Sequence, residues 1–163
     1  MYILDAKHAI QMHVFGMVLF DAGASMRLTR YTDYAIRVLI FLGAREGEMS
    51  SIRSIATAFS ISQNHLMKVV QDLAAAGFID SVRGRNGGIR LSRHATDINL
   101  GALLRHTEGL TDLLDCPSCM VRGGCGMPSI LSEATAAFIG VFDKYTVADL
   151  VQRRELLRSL LAA

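Results

Sequence analysis

Three cysteines carry the chemistry that can be read first. Cys116, Cys119 and Cys125 are the only cysteines in the chain, and they fall within ten residues, Cys-Pro-Ser-Cys-Met-Val-Arg-Gly-Gly-Cys. An odd number of thiols this closely spaced makes no disulfide framework. It points to a metal or redox site in a reducing, cytoplasmic compartment. Thiolates are soft donors that select iron–sulfur clusters, zinc or copper(I). A cluster of the [4Fe-4S] or [2Fe-2S] type takes four ligands. Three are present here, so the fourth must be a non-cysteine group or come from another chain. Gly123, Gly124 and Gly126 let the loop close around such a group. Zinc is the alternative, with His106 as a candidate fourth donor. The Cys-Pro-Ser-Cys spacing also suits a metal-free thiol switch or a small dithiol oxidoreductase, although the βαβ context of such enzymes is missing. Cysteines without any ligand are the remaining reading. No Ser/His/Asp set, paired carboxylates or phosphate loop supports other catalysis, so the chain reads as a non-enzyme.

The elements around this loop follow from hydrophobic spacing. Ala35, Ile36, Leu39, Ile40 and Phe41 recur at three- and four-residue intervals and predict a first helix, with Thr32 as its cap. Ser50-Ser51 opens a short second helix that turns Ile52, Ile55, Ala56 and Phe59 inward. A brief turn leads into a third helix from about Gln63 to Ala76, whose buried stripe is Leu66, Val69, Val70 and Leu73. Gly77 is placed to end it. Two β-type segments, 78–82 and 89–91, flank a turn containing Asn86-Gly87 and predict a hairpin. Ile98 to His106 reads as a further helix. After the cysteine loop a long helix runs from Pro128 to about Tyr145, with proline in the favourable first turn. Its seam of Leu131, Ala134, Phe138, Val141 and Tyr145 suits a helix partner. Thr146 to Asp149 resembles a cap opening a last helix.

This order, helix, turn, helix and basic hairpin, is that of a winged helix-turn-helix. The fold class is therefore mainly α with a small β-hairpin wing (α+β), plus a long dimerisation helix. With its stripe buried, the third helix presents Gln63, Asn64, His65 and Lys68 near its N-terminal end, where such helices contact base edges. The hairpin carries Arg83, Arg85, Asn86, Arg90 and Arg93, and a narrow arginine-bearing tip suits a minor groove. Double-stranded DNA is the expected partner, although the net charge is only +2. The same composition excludes other classes. At 51% hydrophobic and 20% charged residues the chain is globular rather than disordered. No apolar run reaches the length of a membrane span. With no tryptophan and only 7% aromatic residues, the composition argues against broad stacking platforms for single strands.

Four segments are expected. Residues 1–25 form an N-terminal extension or a mis-called leader, since Val14 to Phe20 is apolar, 22–25 are small, and patterned sequence begins at Met26. Residues 26–105 form the winged helix-turn-helix, 106–127 the cysteine loop, and 128–163 the dimerisation and C-terminal helices.

Specific stretches carry a family resemblance. Met26 to Arg37 (MRLTRYTDYAIR), Asn64 to Val70 (NHLMKVV), Val82 to Leu91 (VRGRNGGIRL) and Tyr145 to Val151 (YTVADLV) resemble the Rrf-type winged-helix iron–sulfur transcription regulators. The Thr-Asp-Tyr start and the Asn64-His65 pair look most like the nitric-oxide-sensing repressors of that family. The resemblance covers residues 26 to about 158. It implies a cytoplasmic homodimer on a palindromic operator, and an iron–sulfur cluster held by Cys116, Cys119 and Cys125. It further implies a fourth ligand from Asp33 of the partner subunit, and target genes for nitric-oxide detoxification or nitrogen-oxide metabolism. Family members usually leave a longer gap between the first two cysteines than the two residues found here. Iron-sensing and cluster-status-sensing regulators of the same family are the alternative.

Overall fold

The computed structural model describes residues 27–84, 87–109 and 114–162. The expectations for residues 1–25, for a start at Met26, and for Arg85 and Asn86 lie outside the described residues. Seven helices and one hairpin follow in the order α1 (Arg30–Ala44), α2 (Ile52–Phe59), α3 (Gln63–Ala75), β1 (Ile79–Val82), β2 (Gly88–Leu91), α4 (Leu100–Thr107), α5 (Met127–Phe142), α6 (Val147–Leu150) and α7 (Arg154–Leu160). A single 3-10 turn, Ala95–Asp97, connects the hairpin to α4.

Helix α1 starts earlier than its apolar spacing suggests. Thr29, not Thr32, is the cap: its side chain accepts from the Thr32 amide. Thr32 is itself buried inside the helix, with its hydroxyl 3.1 Å from that of Thr29. The cap signal was displaced because the first turn, Arg30 to Asp33, is mostly polar and shows no hydrophobic period. Ala35, Val38, Leu39 and Leu42 are fully or almost fully buried along one face of α1. They meet Ile55 of α2, Leu66, Val69 and Leu73 of α3, and Leu103 of α4 in one core.

α2 is capped by Ser51 and α3 follows a left-handed Ser60. After α3 the chain reverses through Gly77 at φ +76°, a conformation that glycine adopts without strain. The hairpin forms as expected, and its register sets Ile79 opposite Leu91 and Val82 opposite Gly88. Ser50 extends this small sheet by bonding Ile89 in both directions, at 2.9 and 2.8 Å. A side chain at Gly88 would collide with the Ser50 carbonyl, and one at Gly87 with the Val82 carbonyl. Both glycines are thus required by close backbone approach.

The C-terminal part differs from expectation in two respects. Helix α5 ends at Phe142 rather than near Tyr145, because Asp143 to Tyr145 are drawn onto α4. Asn99 Nδ2 donates to the Asp143 carbonyl at 2.8 Å, and Arg105 grips the Asp143 carboxylate at 2.5 and 2.7 Å. The Thr146 capping box exists as expected, but it opens a single turn, α6, and α7 forms separately. α6 seats Val147 and Val151 against Gly43 of α1, where a side chain would meet Val147 at 3.0 Å. α7 returns to the same helix: Arg158 Nε donates to the Ala44 carbonyl at 2.7 Å and Arg154 pairs with Glu46 at 2.6 Å.

Gly101 marks the closest contact of α4 with the end of α5. A Cβ there would lie 2.0 Å from Asp143 Oδ1 and 3.0 Å from its backbone nitrogen. Gly101→Ala is expected to destabilise the protein by about 1–3 kcal/mol, the usual cost of overpacking. Denaturant unfolding measures it, and unchanged stability would show that α5 is free to shift.

Candidate nucleic-acid interface and metal centre

Helix α3 buries Leu66, Val69, Val70 and Leu73, so a helical period leaves Asn64, Lys68 and Gln71 on the opposite, exposed face. Gln63 stands exposed at the helix start. His65 departs from this row. It is exposed, but its ring stacks on Tyr34 of α1 with centroids 6.3 Å apart. Gln71 and the half-exposed Met67 (49%) share the outward side and were missed by sequence reasoning. The seven-residue step from Asn64 to Gln71 was the available signal.

The wing places Arg83 and Gly84 at an exposed tip, with Gly84 at φ +115°. Arg90 and Arg93 are engaged by the fold. Arg90 lies across the hairpin from Asp80 at 3.4 Å. Arg93 donates to the Asp97 carbonyl at 3.1 Å and lies over the Phe78 ring.

The three cysteines sit on the loop between α4 and α5. Cys116 is half-buried, Cys119 and Cys125 are exposed, and all three are free thiols. Short-range bonds shape the loop: the Cys119 amide donates to the Cys116 carbonyl at 3.3 Å and the Arg122 amide to the Cys119 carbonyl at 3.1 Å. Cys116 lines a groove of roughly 760 Å³ whose other walls include Arg105 of α4 and Leu131 and Ile139 of α5. In kind, these donors fit an iron–sulfur group: soft, free and accessible. In the single chain they are not gathered, since among the described residues no group of three or more His, Cys, Asp or Glu side chains could hold a metal ion. Asp33 is in the first turn of α1, where Arg37 Nε donates to both of its oxygens at 2.9 and 3.0 Å. His106 is bonded elsewhere: its Nε2 lies 2.7 Å from Asp72 Oδ2, and its ring packs on Phe78.

Asp72, on α3, also accepts the Tyr31 hydroxyl of α1. That hydrogen bond, aided by His106, holds the Asp72 carboxyl below its ordinary range. Burial and the adjacent carboxylate push the Tyr31 phenol above its own. A second tie joins the same regions, since Glu108 Oε1 accepts the Thr29 amide at 2.7 Å.

Comparison with known proteins decides the family. Residues 28–153 match Rrf2, described as an iron-dependent transcriptional regulator. The chain belongs to the Rrf2 family. Two relatives of this family member are named HTH-type transcriptional regulator NsrR. The one from Bacillus subtilis (strain 168) is 46% identical, with 83% of this chain and 97% of the relative covered. The one from Geobacillus kaustophilus (strain HTA426) is 48% identical at the same coverage. Among solved structures, T. potens IscR superposes with a TM-score of 0.65 at 25% identity, over 79% of this chain and 88% of that one. The oxidized form of Staphylococcus aureus CymR gives 0.63 at 28% identity, over 77% and 95%. The protein is thus a transcription regulator of the winged-helix Rrf2 type, and the fold expected from sequence stands.

Glu46 provides a pH handle away from the thiols. The Ala95 amide, Arg154 and His94 hold its carboxyl below the ordinary range. A carboxyl depressed on folding stabilises above its unfolded pKa, and that contribution is lost as pH falls through the folded value. Stability is therefore expected to drop as pH falls below about 4.5, and to drop less steeply in Glu46→Gln. Melting temperatures across acid pH test this, and identical slopes would refute it.

Proposed function

We propose that this Rrf2 protein is a homodimeric, cytoplasmic repressor that binds a palindromic DNA operator, and that an iron–sulfur cluster at the cysteine loop makes its grip on DNA responsive to nitric oxide. The observation that carries this reading is the loop itself. Three free thiols, with no disulfide and two of them exposed, follow directly on a helix that is bonded to the DNA-reading helix. The identity to NsrR relatives supports the choice of signal within the family.

Cys116, Cys119 and Cys125 would hold the cluster, and the partner subunit's Asp33 would complete the ligand set. Such a group would supply iron that nitric oxide attacks, with the carboxylate as its weakest anchor. The chain's own residues do the rest. Arg37 holds Asp33 ready at the start of α1. Asn64 and Gln63 suit adenine edges, and Lys68 suits guanine or phosphate. Arg83 enters the groove at the wing, together with Arg85 and Asn86 of the tip. Arg90 supplies charge beside Asp80 and His65 lines the edge of the reading helix.

The unpartnered side of α5 supports the dimer. Met127, Ile130, Ala134, Ala137 and Val141 are exposed at alternating three- and four-residue steps, and Ile130 is 60% exposed. This stripe keeps Ala134 and Val141 of the expected seam, with Ile130 and Ala137 in place of Leu131 and Phe138, which are half-buried. Two copies joined there would present two reading helices to successive half-sites, which lie about 34 Å apart on DNA.

A thiol switch is the second reading. It is favoured by one observation, that Cys116 and Cys119 share a single turn while, among the described residues, no group of three or more His, Cys, Asp or Glu side chains gathers to hold a metal. Anaerobic purification separates the two. The expected result is iron with acid-labile sulfide, a visible absorption lost in Cys125→Ala and bleached by nitric oxide, and weaker operator binding afterwards. Protein without iron or sulfide that responds only to oxidants would favour the thiol switch.

The DNA face is tested separately. Asn64→Ala is expected to cost about 1–3 kcal/mol of operator discrimination, and His65→Ala less, because that ring faces Tyr34. Arg83→Ala is expected to weaken binding to all sequences and lower the salt slope by about one. Equal losses for Asn64 and His65 would invalidate the assignment of the reading face.

A further inference from the structure

Three elements that serve different purposes meet at one oxygen atom. Asp72 lies on α3 but off the row of Asn64, Lys68 and Gln71. Its Oδ2 accepts the Tyr31 hydroxyl and lies 2.7 Å from His106 Nε2. Tyr31 is two residues from Asp33, in the first turn of α1. His106 is in the last turn of α4 and leads into the cysteine loop. We infer that Asp72 is the positioning residue that couples the cysteine loop, and the first turn of α1, to the DNA-reading helix. The inference rests on the cluster-sensing reading above.

The physical case comes from what loading the site must move. The thiols are not gathered in the single chain, so holding a shared group must draw residues 116–125 together. His106 lies in the last turn of α4, ahead of that loop, and a shift of that turn bears on its bond to Asp72. Asp33 is held by Arg37 in the first turn of α1, so drawing its carboxylate toward another chain's centre loads that turn. The first turn of α1 then moves with Tyr31. Both displacements arrive at the same carboxylate. From there they pass into a stiff body, because α3 is fixed to the core by four buried side chains and a packed core shifts as a unit. His106 also packs on Phe78 at the base of the wing, so helix and wing receive the same displacement.

A merely structural role would look different. The Asp72 and His106 side chains are 43% and 33% exposed. Ion pairs so exposed add little stability. The geometric link is their distinctive property, and a link is measured as a difference between two states.

The test uses the full-length protein, prepared anaerobically and compared with its cluster-free form, on a duplex selected by the wild type from random sequence. The wild type is expected to bind at least about 10-fold more tightly when loaded, within the usual range for allosteric coupling. In Asp72→Ala the loaded and empty affinities are expected to fall within about 3-fold of each other, while the visible spectrum stays unchanged. Removing a carboxylate near DNA raises affinity in both states alike, and the ratio cancels this. His106→Ala is expected to give the same loss and also serves if Asp72→Ala does not fold. The double variant is expected to lose no more than either single one, because both break one link. A switchable wild type whose ratio survives in both single variants overturns the coupling alone, as do losses that multiply in the double variant. A wild type indifferent to loading overturns the sensing reading and the coupling together.

Discussion

The burial of one face of α1 is the constraint on which the molecule depends. Ala35, Val38 and Leu39 are completely inaccessible, and they contact both the DNA-reading side and the returning C-terminal helices. Helix α1 packs on α2, α3 and strand β2, and also on α4, α6 and α7. Gly43 permits α6 to approach within van der Waals distance, and Arg154 and Arg158 of α7 close over the end of the helix. Neither α3 nor the wing is therefore independent of the elements that follow the cysteine loop. The order of elements along the sequence separates a DNA-binding part from a C-terminal part, yet both share a single apolar nucleus.

Most of this architecture was legible in the sequence, for physical reasons that can be named. The stripe of Leu66, Val69, Val70 and Leu73 gave α3 because a core contact forces a 3.6-residue period. The hairpin was legible because β-type segments flank the turn signal Asn86-Gly87, and Gly87 and Gly88 sit where backbones approach too closely for any side chain. Where local pattern did not decide, the reading failed. Thr29 was missed as a cap because the first turn of α1 is polar. The end of α5 was missed because contacts from Asn99 and Arg105, more than 35 residues away in sequence, determine it.

The candidate site was legible in composition but not in arrangement. Three cysteines in ten residues announce soft-metal chemistry, whereas their mutual positions depend on a loop built from short-range turns. His65 shows the same limit on the DNA side. Its exposure was predicted correctly, but its stacking on Tyr34 depends on how α1 and α3 cross. The link from Asp72 to Tyr31 and His106 joins three distant stretches and leaves no local trace at all.

The paired bonds between Ser50 and Ile89 have a wider consequence. They fasten the wing to the residue just before α2, and α2 is already packed on α3. The exposed face of α3 and the base of the wing are thereby yoked through α2, so a displacement of one is passed to the other rather than absorbed between them.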